Sequence, residues 1–194
     1  MPAHPAATAN YFQAFGIEPR LGLDTESLRE TFLALSRETH PDFFATADDA
    51  ARAESLRRSS LLNNAWKTLR DPLARADYMI ALSGTGIESN KNAVPPALLE
   101  ELFDIQEAGE SLREARLSGD EAALAAAEAR IGPLRAQVLA TRAEIDAELL
   151  GLFAEFDAAV VGGIDSPAAV AVLRRIRVAL DRMNYLRTVL RNLK

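Results

Sequence analysis

The chain of 194 residues contains no cysteine and only two histidines, His4 and His40. The lack of cysteine excludes disulfide bonds, thiolate zinc sites, cysteine nucleophiles and iron–sulfur clusters ligated by this chain. No Glu-x-x-His pair occurs, so a helix-bundle site for two metal ions would lack its usual histidine ligands. We therefore expect neither a metal nor another cofactor.

Long apolar runs are also missing. No stretch of about 18 apolar residues occurs, so a transmembrane helix is not expected. Met1 to Asn10 contain no lysine, no arginine and no apolar segment, which argues against a secretory signal. We expect a cytoplasmic protein that does not bind membranes.

β-Branched residues are few beyond Ala97, where alanine and leucine dominate, and this composition favours an all-α fold. The net charge of −6 disfavours nucleic acid as a partner. Residues 100–121 carry eight acidic side chains against two arginines, whereas residues 174–194 carry seven basic side chains against one aspartate. Two interpretations fit this pattern: solvated helix faces that attract each other, or a bipolar surface that steers a partner.

Four helices are predicted in the first 84 residues, because apolar side chains recur at helical spacing after candidate capping residues. The second helix must end near Thr39, since Pro41 disfavours the helical conformation at His40. A loop follows to about Asp49. The predicted helices run from Asn10 to before Gly16, from Asp24 to Thr39, from Asp49 to Leu69, and from Leu73 to about Leu82.

Three longer helices are predicted beyond a linker that contains Pro95-Pro96. They cover 97–117, 120–161 and 167 to the end, and the second can kink or restart at Gly132-Pro133. Short turns between helices favour antiparallel packing, so we expect a three-helix bundle. The predicted division is 1–84, a fixed or swinging linker at 85–96, and the bundle at 97–194.

The tripeptide His40-Pro41-Asp42 lies in the loop between the second and third predicted helices. Proline restricts the loop backbone, so the imidazole and the carboxylate are presented at little entropic cost. In isolation His40 could cap a helix or pair with Asp42, and a His–Asp pair could belong to a hydrolytic triad. No serine or cysteine lies in a nucleophile-elbow sequence, so a triad is not supported.

The sequence around the tripeptide is more specific than the tripeptide itself. Asn10-Tyr11-Phe12 precedes it, and Asn63-Asn64-Ala65-Trp66 and Asp71-Pro72-Leu73-Ala74 follow it. This order resembles the J-domain over about residues 10–82. The resemblance implies an antiparallel helical hairpin with flanking short helices. It also implies that His40, Pro41 and Asp42 bind a DnaK-type chaperone and promote its ATP hydrolysis, without an enzymatic activity of the chain itself.

The helix before the tripeptide is less basic than is common in J-domains. The resemblance includes Arg29 and Arg37 in the chaperone-binding site. Their charge is offset by three acidic residues of the same helix, Glu26, Glu30 and Glu38. Three arginines of the following helix are alternative basic contacts: Arg52, Arg57 and Arg58.

A helical extension follows the J-like region, in place of a Gly/Phe-rich segment and β-rich domains. It opens with Pro95-Pro96-Ala97-Leu98-Leu99, and its layout resembles the HscB (Jac-type) family of iron–sulfur cluster assembly. The resemblance implies two partners, an HscA-like DnaK-type chaperone and an IscU-type scaffold protein. The implied scaffold-binding residues are Leu99, Phe103, Asp104, Glu107 and Tyr185.

Three of these residues, Leu99, Phe103 and Glu107, are spaced by four and would share one face of a continuous helix. Phe103 and Tyr185 are equally compatible with the core of the bundle.

Three other functions fit parts of the sequence. A J-domain protein could deliver a different client. The basic last helix could bind nucleic acid, although it lacks aromatic residues between its arginines. A helical-bundle enzyme would have only carboxylates as metal ligands.

Overall fold

The computed structural model describes residues 10–44, 46–90, 94–99 and 102–193. Within these ranges all regular structure is helical and no β-strand is present, so the all-α prediction is confirmed. The chain forms two compact units. The first comprises the described residues up to Thr85 with Phe156–Val170, and the second those from Gly86 to Glu155 and from Ala171 onwards. The sequence-based domain boundaries at 84 and 97 stay a prediction.

Four α-helices form most of the first unit. Each begins directly after an aspartate or asparagine whose side chain accepts hydrogen bonds from backbone N–H groups of the first turn. These capping residues are Asn10, Asp24, Asp48 and Asp71. The helices are α1 (Tyr11–Ala14), α2 (Thr25–Glu38), α3 (Asp49–Leu69) and α4 (Pro72–Leu82), with a 3-10 turn at Pro41–Phe44 in the expected loop.

Helices α2 and α3 form an antiparallel hairpin. Next to the 3-10 turn, the Ser55 hydroxyl donates a hydrogen bond of 3.0 Å to the Thr39 carbonyl, and both residues are buried. Further from the turn, the rings of Phe32 and Trp66 stack with their centroids 5.0 Å apart. Helix α3 also packs against α1 and α4. The buried residues at these contacts include Phe12, Leu28, Leu62, Ala65 and Leu69.

The second unit is built from three longer helices, α5 (Leu102–Ser118), α6 (Glu121–Ala159) and α7 (Pro167–Asn192). Arg182 Nη2 lies 2.5 Å from Glu148 Oε2, and Arg175 pairs with Glu155, so α6 and α7 run in opposite directions. Arg130 Nη2 of α6 lies 2.7 Å from Glu107 Oε2 of α5, so α5 packs beside α6. The predicted three-helix bundle is therefore confirmed.

Two features of these helices differ from the sequence prediction. Helix α5 does not begin at Ala97, because Pro96–Leu98 form a 3-10 turn that buries Leu98 completely, and the described part of α5 starts at Leu102. Helix α6 continues through Pro133 without a break, so the alternative of a restart is wrong. The buried side chains of Ile131 and Val138 lie on either side of the proline. The packing of these two side chains compensates for the backbone hydrogen bond that proline cannot donate.

Part of the predicted linker is fixed to α7. The Ser89 hydroxyl donates to Asp181 Oδ1 at 2.7 Å, and the Asn90 N–H donates to Oδ2 at 2.6 Å. Asp181 is buried and lies beside Arg177, whose Nε is 3.1 Å from Oδ1. Residues 91–93 lie outside the described residues. Ser89 and Asn90 therefore belong to the bundle, because charge-assisted hydrogen bonds to a buried carboxylate hold them.

The last turns of α6 contribute a carboxylate to the first unit. Asp157 accepts hydrogen bonds from the backbone N–H groups of Leu21, at 2.7 Å, and Gly22, at 2.8 Å. A Cβ atom on Gly22 would lie 2.8 Å from Asp157 Oδ2, so a larger residue there would displace the carboxylate. Arg75 is buried and donates to the Leu69 carbonyl at 2.6 Å. Burial lowers the pKa of Arg75, while the charges of Asp157 and Asp71 oppose that shift.

We expect Asp157→Asn to lower the free energy of unfolding by about 1–3 kcal/mol. One backbone N–H would face an amide that cannot accept its hydrogen bond, and the buried Arg75 would lose a compensating charge. Chemical denaturation followed by circular dichroism measures the change. The matched control is Glu155→Gln, which removes only an exposed ion pair with Arg175 and should cost less than about 1 kcal/mol. Equal effects of the two variants would contradict the assigned role of Asp157.

Candidate functional site

The tripeptide His40-Pro41-Asp42 lies where α2 turns into α3. Pro41 and Asp42 begin the 3-10 turn, and the Phe43 N–H donates to the His40 carbonyl at 3.1 Å. The preceding Thr39 is held by the buried hydrogen bond from Ser55. The side chains of His40 and Asp42 are 55% and 88% exposed. This motif loop therefore presents an imidazole and a carboxylate on a backbone fixed by hydrogen bonds.

The imidazole and the carboxylate of the motif loop can interact in two mutually exclusive ways. His40 Nδ1 lies 3.3 Å from the backbone nitrogen of Asp42 and 3.6 Å from Asp42 Oδ2. In a neutral imidazole protonated on Nε2, Nδ1 accepts the hydrogen bond of the backbone N–H. In the imidazolium form Nδ1 donates instead, and the carboxylate becomes its partner. In both forms Nε2–H remains available as a donor to another protein.

The arginines around the motif loop differ in how much free charge they present. Three of the five within residues 25–58 form ion pairs with a carboxylate three residues earlier: Arg29 with Glu26, Arg52 with Asp49, and Arg57 with Glu54. Arg37 and Arg58 are exposed and form no ion pair with any residue that the structure describes. The predicted contact Arg37 is thus available for a partner, whereas Arg29 is already engaged with Glu26.

The residues predicted to bind a scaffold protein all lie in the second unit, and we call them the bundle patch: Leu99, Phe103, Asp104, Glu107 and Tyr185. Phe103 is 79% exposed and Leu99 is 56% exposed, so Phe103 is not core. Leu99 lies before the described part of α5, and residues 100 and 101 lie outside the described residues, so the shared face of Leu99, Phe103 and Glu107 stays a prediction. Phe103 and Glu107 do lie one turn apart on α5.

Tyr185 of α7 is half-buried, and desolvation raises the pKa of its phenol. Tyr185 and Phe103 are both described, and their rings make no contact with each other. The position of Tyr185 is therefore intermediate between the two predicted alternatives, core and contact surface.

Arg130 of α6 forms ion pairs with the two carboxylates of the bundle patch. Its Nη2 lies 2.7 Å from Glu107 Oε2 and 3.8 Å from Asp104 Oδ1. The hydrogen bond and the charge of Arg130 lower the pKa of Glu107, and the same contact raises the pKa of Arg130. The sequence analysis missed Arg130. The antiparallel arrangement of α5 and α6 could have indicated it, because Glu107 and Arg130 lie at nearly equal distances along the chain from the turn at Gly119.

Two kinds of site are not found in the part of the chain that the structure describes. No group of three or more carboxylate or histidine side chains there could hold a metal ion. No described helix is long and apolar enough to cross a membrane.

We expect an NMR titration to show a pKa for Glu107 below the ordinary value of 4.5, because Arg130 stabilises the charged carboxylate. Since the pKa is lower in the folded protein, the pair contributes stability above the ordinary value, and this contribution is lost as the pH falls through the folded value. Arg130→Met should raise the pKa of Glu107 towards 4.5. Arg142→Met, which removes an ion pair with Asp146 further along α6, should leave it unchanged. An unmoved pKa in Arg130→Met would contradict the pairing.

No protein-family model matches the chain. Among solved structures, the chaperone HscB from Vibrio cholerae is 29% identical, and the match covers 96% of this chain and all of that chain with a TM-score of 0.56. The human co-chaperone protein HscB is 24% identical, with 97% of this chain and 82% of that chain covered and a TM-score of 0.56, a likeness that bears on the fold. Together with the motif loop and the helical bundle, the match to the Vibrio cholerae protein supports an HscB-type co-chaperone.

Proposed function

We propose that this co-chaperone acts in iron–sulfur cluster assembly. It binds an IscU-type scaffold protein, delivers it to an HscA-like DnaK-type chaperone and stimulates that chaperone's ATP hydrolysis. Residues 1–84 act as the J-domain and residues 97–194 as the scaffold-binding domain, in the cytoplasm. The observation that carries the proposal is that one chain holds two exposed candidate surfaces in separate units, the motif loop and the bundle patch.

At the motif loop, the chain contributes contacts rather than covalent chemistry. His40 offers a donor and Asp42 offers an acceptor, on a backbone that is ordered before binding. Preordering lowers the entropic cost of association. A contact of this kind accelerates ATP hydrolysis only if it stabilises one conformational state of the chaperone more than another. The J-domain is thus proposed to act by shifting a population in its partner.

At the bundle patch, Phe103 supplies an aromatic anchor and Asp104 and Glu107 supply a carboxylate rim. Aromatic side chains at the centre of a contact with charged groups around it are typical of protein-binding surfaces. Because Arg130 already pairs with Glu107, the patch is less acidic than its sequence indicates. The scaffold would therefore be recognised chiefly through apolar contact at Phe103 and Leu99.

The deciding experiment is the steady-state ATPase rate of an HscA-type chaperone with this protein alone and then with an IscU-type scaffold added. Strong synergy between the two supports the assembly role. Stimulation without synergy would leave a J-domain protein that delivers a different client. The absence of stimulation in either condition would contradict the whole proposal.

We expect His40→Gln to abolish stimulation of the chaperone and to leave the fold intact, because His40 is exposed and its side chain supports no core contact. ATPase assays measure the loss, and circular dichroism verifies the fold. His4→Gln, a change at the other histidine, serves as the matched control and should stimulate normally. Unchanged stimulation by His40→Gln would remove the motif loop from the chaperone-binding site.

We expect Phe103→Ala to weaken scaffold binding by about 5- to 30-fold, the range typical of a buried aromatic anchor. Isothermal titration calorimetry with the cluster-free scaffold measures this change, and ATPase stimulation without scaffold should stay the same. The matched control is Leu117→Ala, which truncates another exposed apolar side chain of α5. If Phe103→Ala binds with unaltered affinity, Phe103 is not a scaffold contact.

A further inference from the structure

Phe43 directly follows the motif loop, and its side chain is 74% exposed. Single exposed apolar side chains are common on proteins and by themselves need no explanation. The next residue, Phe44, is partly buried, whereas Phe43 projects from the fold. Truncation of Phe43 should therefore remove very little core packing.

The backbone around Phe43 is ordered by the same contacts as the motif loop. Phe43 lies in the 3-10 turn, and its N–H donates to the His40 carbonyl. Its ring meets the imidazole of His40 edge to face, with centroids 6.3 Å apart and an interplanar angle of 77°. The aromatic ring is thus continuous with the motif loop, and a partner that reaches His40 also meets Phe43. An aromatic residue held in this way loses little conformational entropy on binding.

The charges near this ring do not favour electrostatic docking. Residues 25–58 carry seven carboxylates against five arginines, a local balance of −2. Three of those arginines are engaged in ion pairs within their own helices. Attraction of an acidic partner surface by this region is therefore weak at physiological salt, where exposed charges are screened beyond about 8 Å. Apolar contact is the source of affinity that remains beside the motif loop.

We propose that Phe43 is an apolar anchor of the chaperone-binding site and inserts into an apolar pocket of the DnaK-type chaperone beside the contacts of His40 and Asp42. The inference rests on the proposed function and extends it, because it separates two roles within one surface. Phe43 supplies affinity, whereas His40 and Asp42 supply the stimulation of ATP hydrolysis. Docking that depends on an apolar anchor should change little with salt.

The test is the rate of ATP hydrolysis by an HscA-type chaperone as a function of the concentration of this protein. Phe43→Ala should raise the half-maximal concentration by about tenfold and leave the maximal rate unchanged, the effect of losing an aromatic anchor. Phe43→Leu, which keeps an apolar side chain, should recover most of the affinity. The half-maximal concentration for the unaltered protein should rise less than about threefold between about 0.05 and 0.3 M salt.

The controls separate this inference from the proposed function. Leu150→Ala truncates a side chain of α6 that is 68% exposed and should behave like the unaltered protein. If Phe43→Ala also behaves like the unaltered protein while His40→Gln is inactive, the anchor is overturned and the proposed function stands. A steep loss of affinity with salt would overturn the anchor as well, since it would show electrostatic docking. If the unaltered protein fails to stimulate the chaperone, both fail.

Discussion

The buried hydrogen bond from the Ser55 hydroxyl to the Thr39 carbonyl is the constraint on which the motif loop depends. Pro41 prevents α2 from continuing, so the carbonyl groups at its end lose their helical partners. Ser55 satisfies one of them from the facing helix, and by doing so it fixes the distance between the two arms of the hairpin. Asp48 then begins α3 after only a short turn. The exposed position of His40 and Asp42 follows from this closure.

In the second unit, three arginines form ion pairs with carboxylates of a neighbouring helix. The acidic start of α5 pairs with Arg130 of α6, and Arg175 and Arg182 of α7 pair with glutamates of α6. The acidic segment (residues 100–121) and the basic segment (residues 174–194) thus both form ion pairs with α6. The expected attraction between the two segments acts through α6, which carries both an arginine and glutamates at these contacts. Exposed pairs of this kind contribute little stability each. Their larger effect is to reduce the free charge that these helices present to solvent.

Local signals in the sequence predicted most of the fold. The starts of α2, α3 and α7 could be predicted because Asp24, Asp48 and Ser166-Pro167 act on the backbone within one turn of their own position. Contacts between distant residues could not be predicted in this way. Asp157 and Asp181 look like ordinary helical carboxylates, yet each is held by backbone N–H groups from a segment more than 80 residues away. The 3-10 turn at Pro96–Leu98, which buries Leu98, was not predicted either.

The sequence identified the candidate residues, but it could not predict how exposed their side chains are. The periodicity of α5 cannot distinguish an aromatic anchor from a core residue, because both occur at helical spacing, and the fold decides that Phe103 is exposed. If the bundle patch binds a scaffold and the motif loop binds a chaperone, as proposed, a single chain tethers the two partners. Tethering can raise the effective concentration of one partner at the other without any conformational change in this chain. Cooperation between scaffold and chaperone can therefore arise from tethering alone, and a change in the affinity of either isolated site is not required.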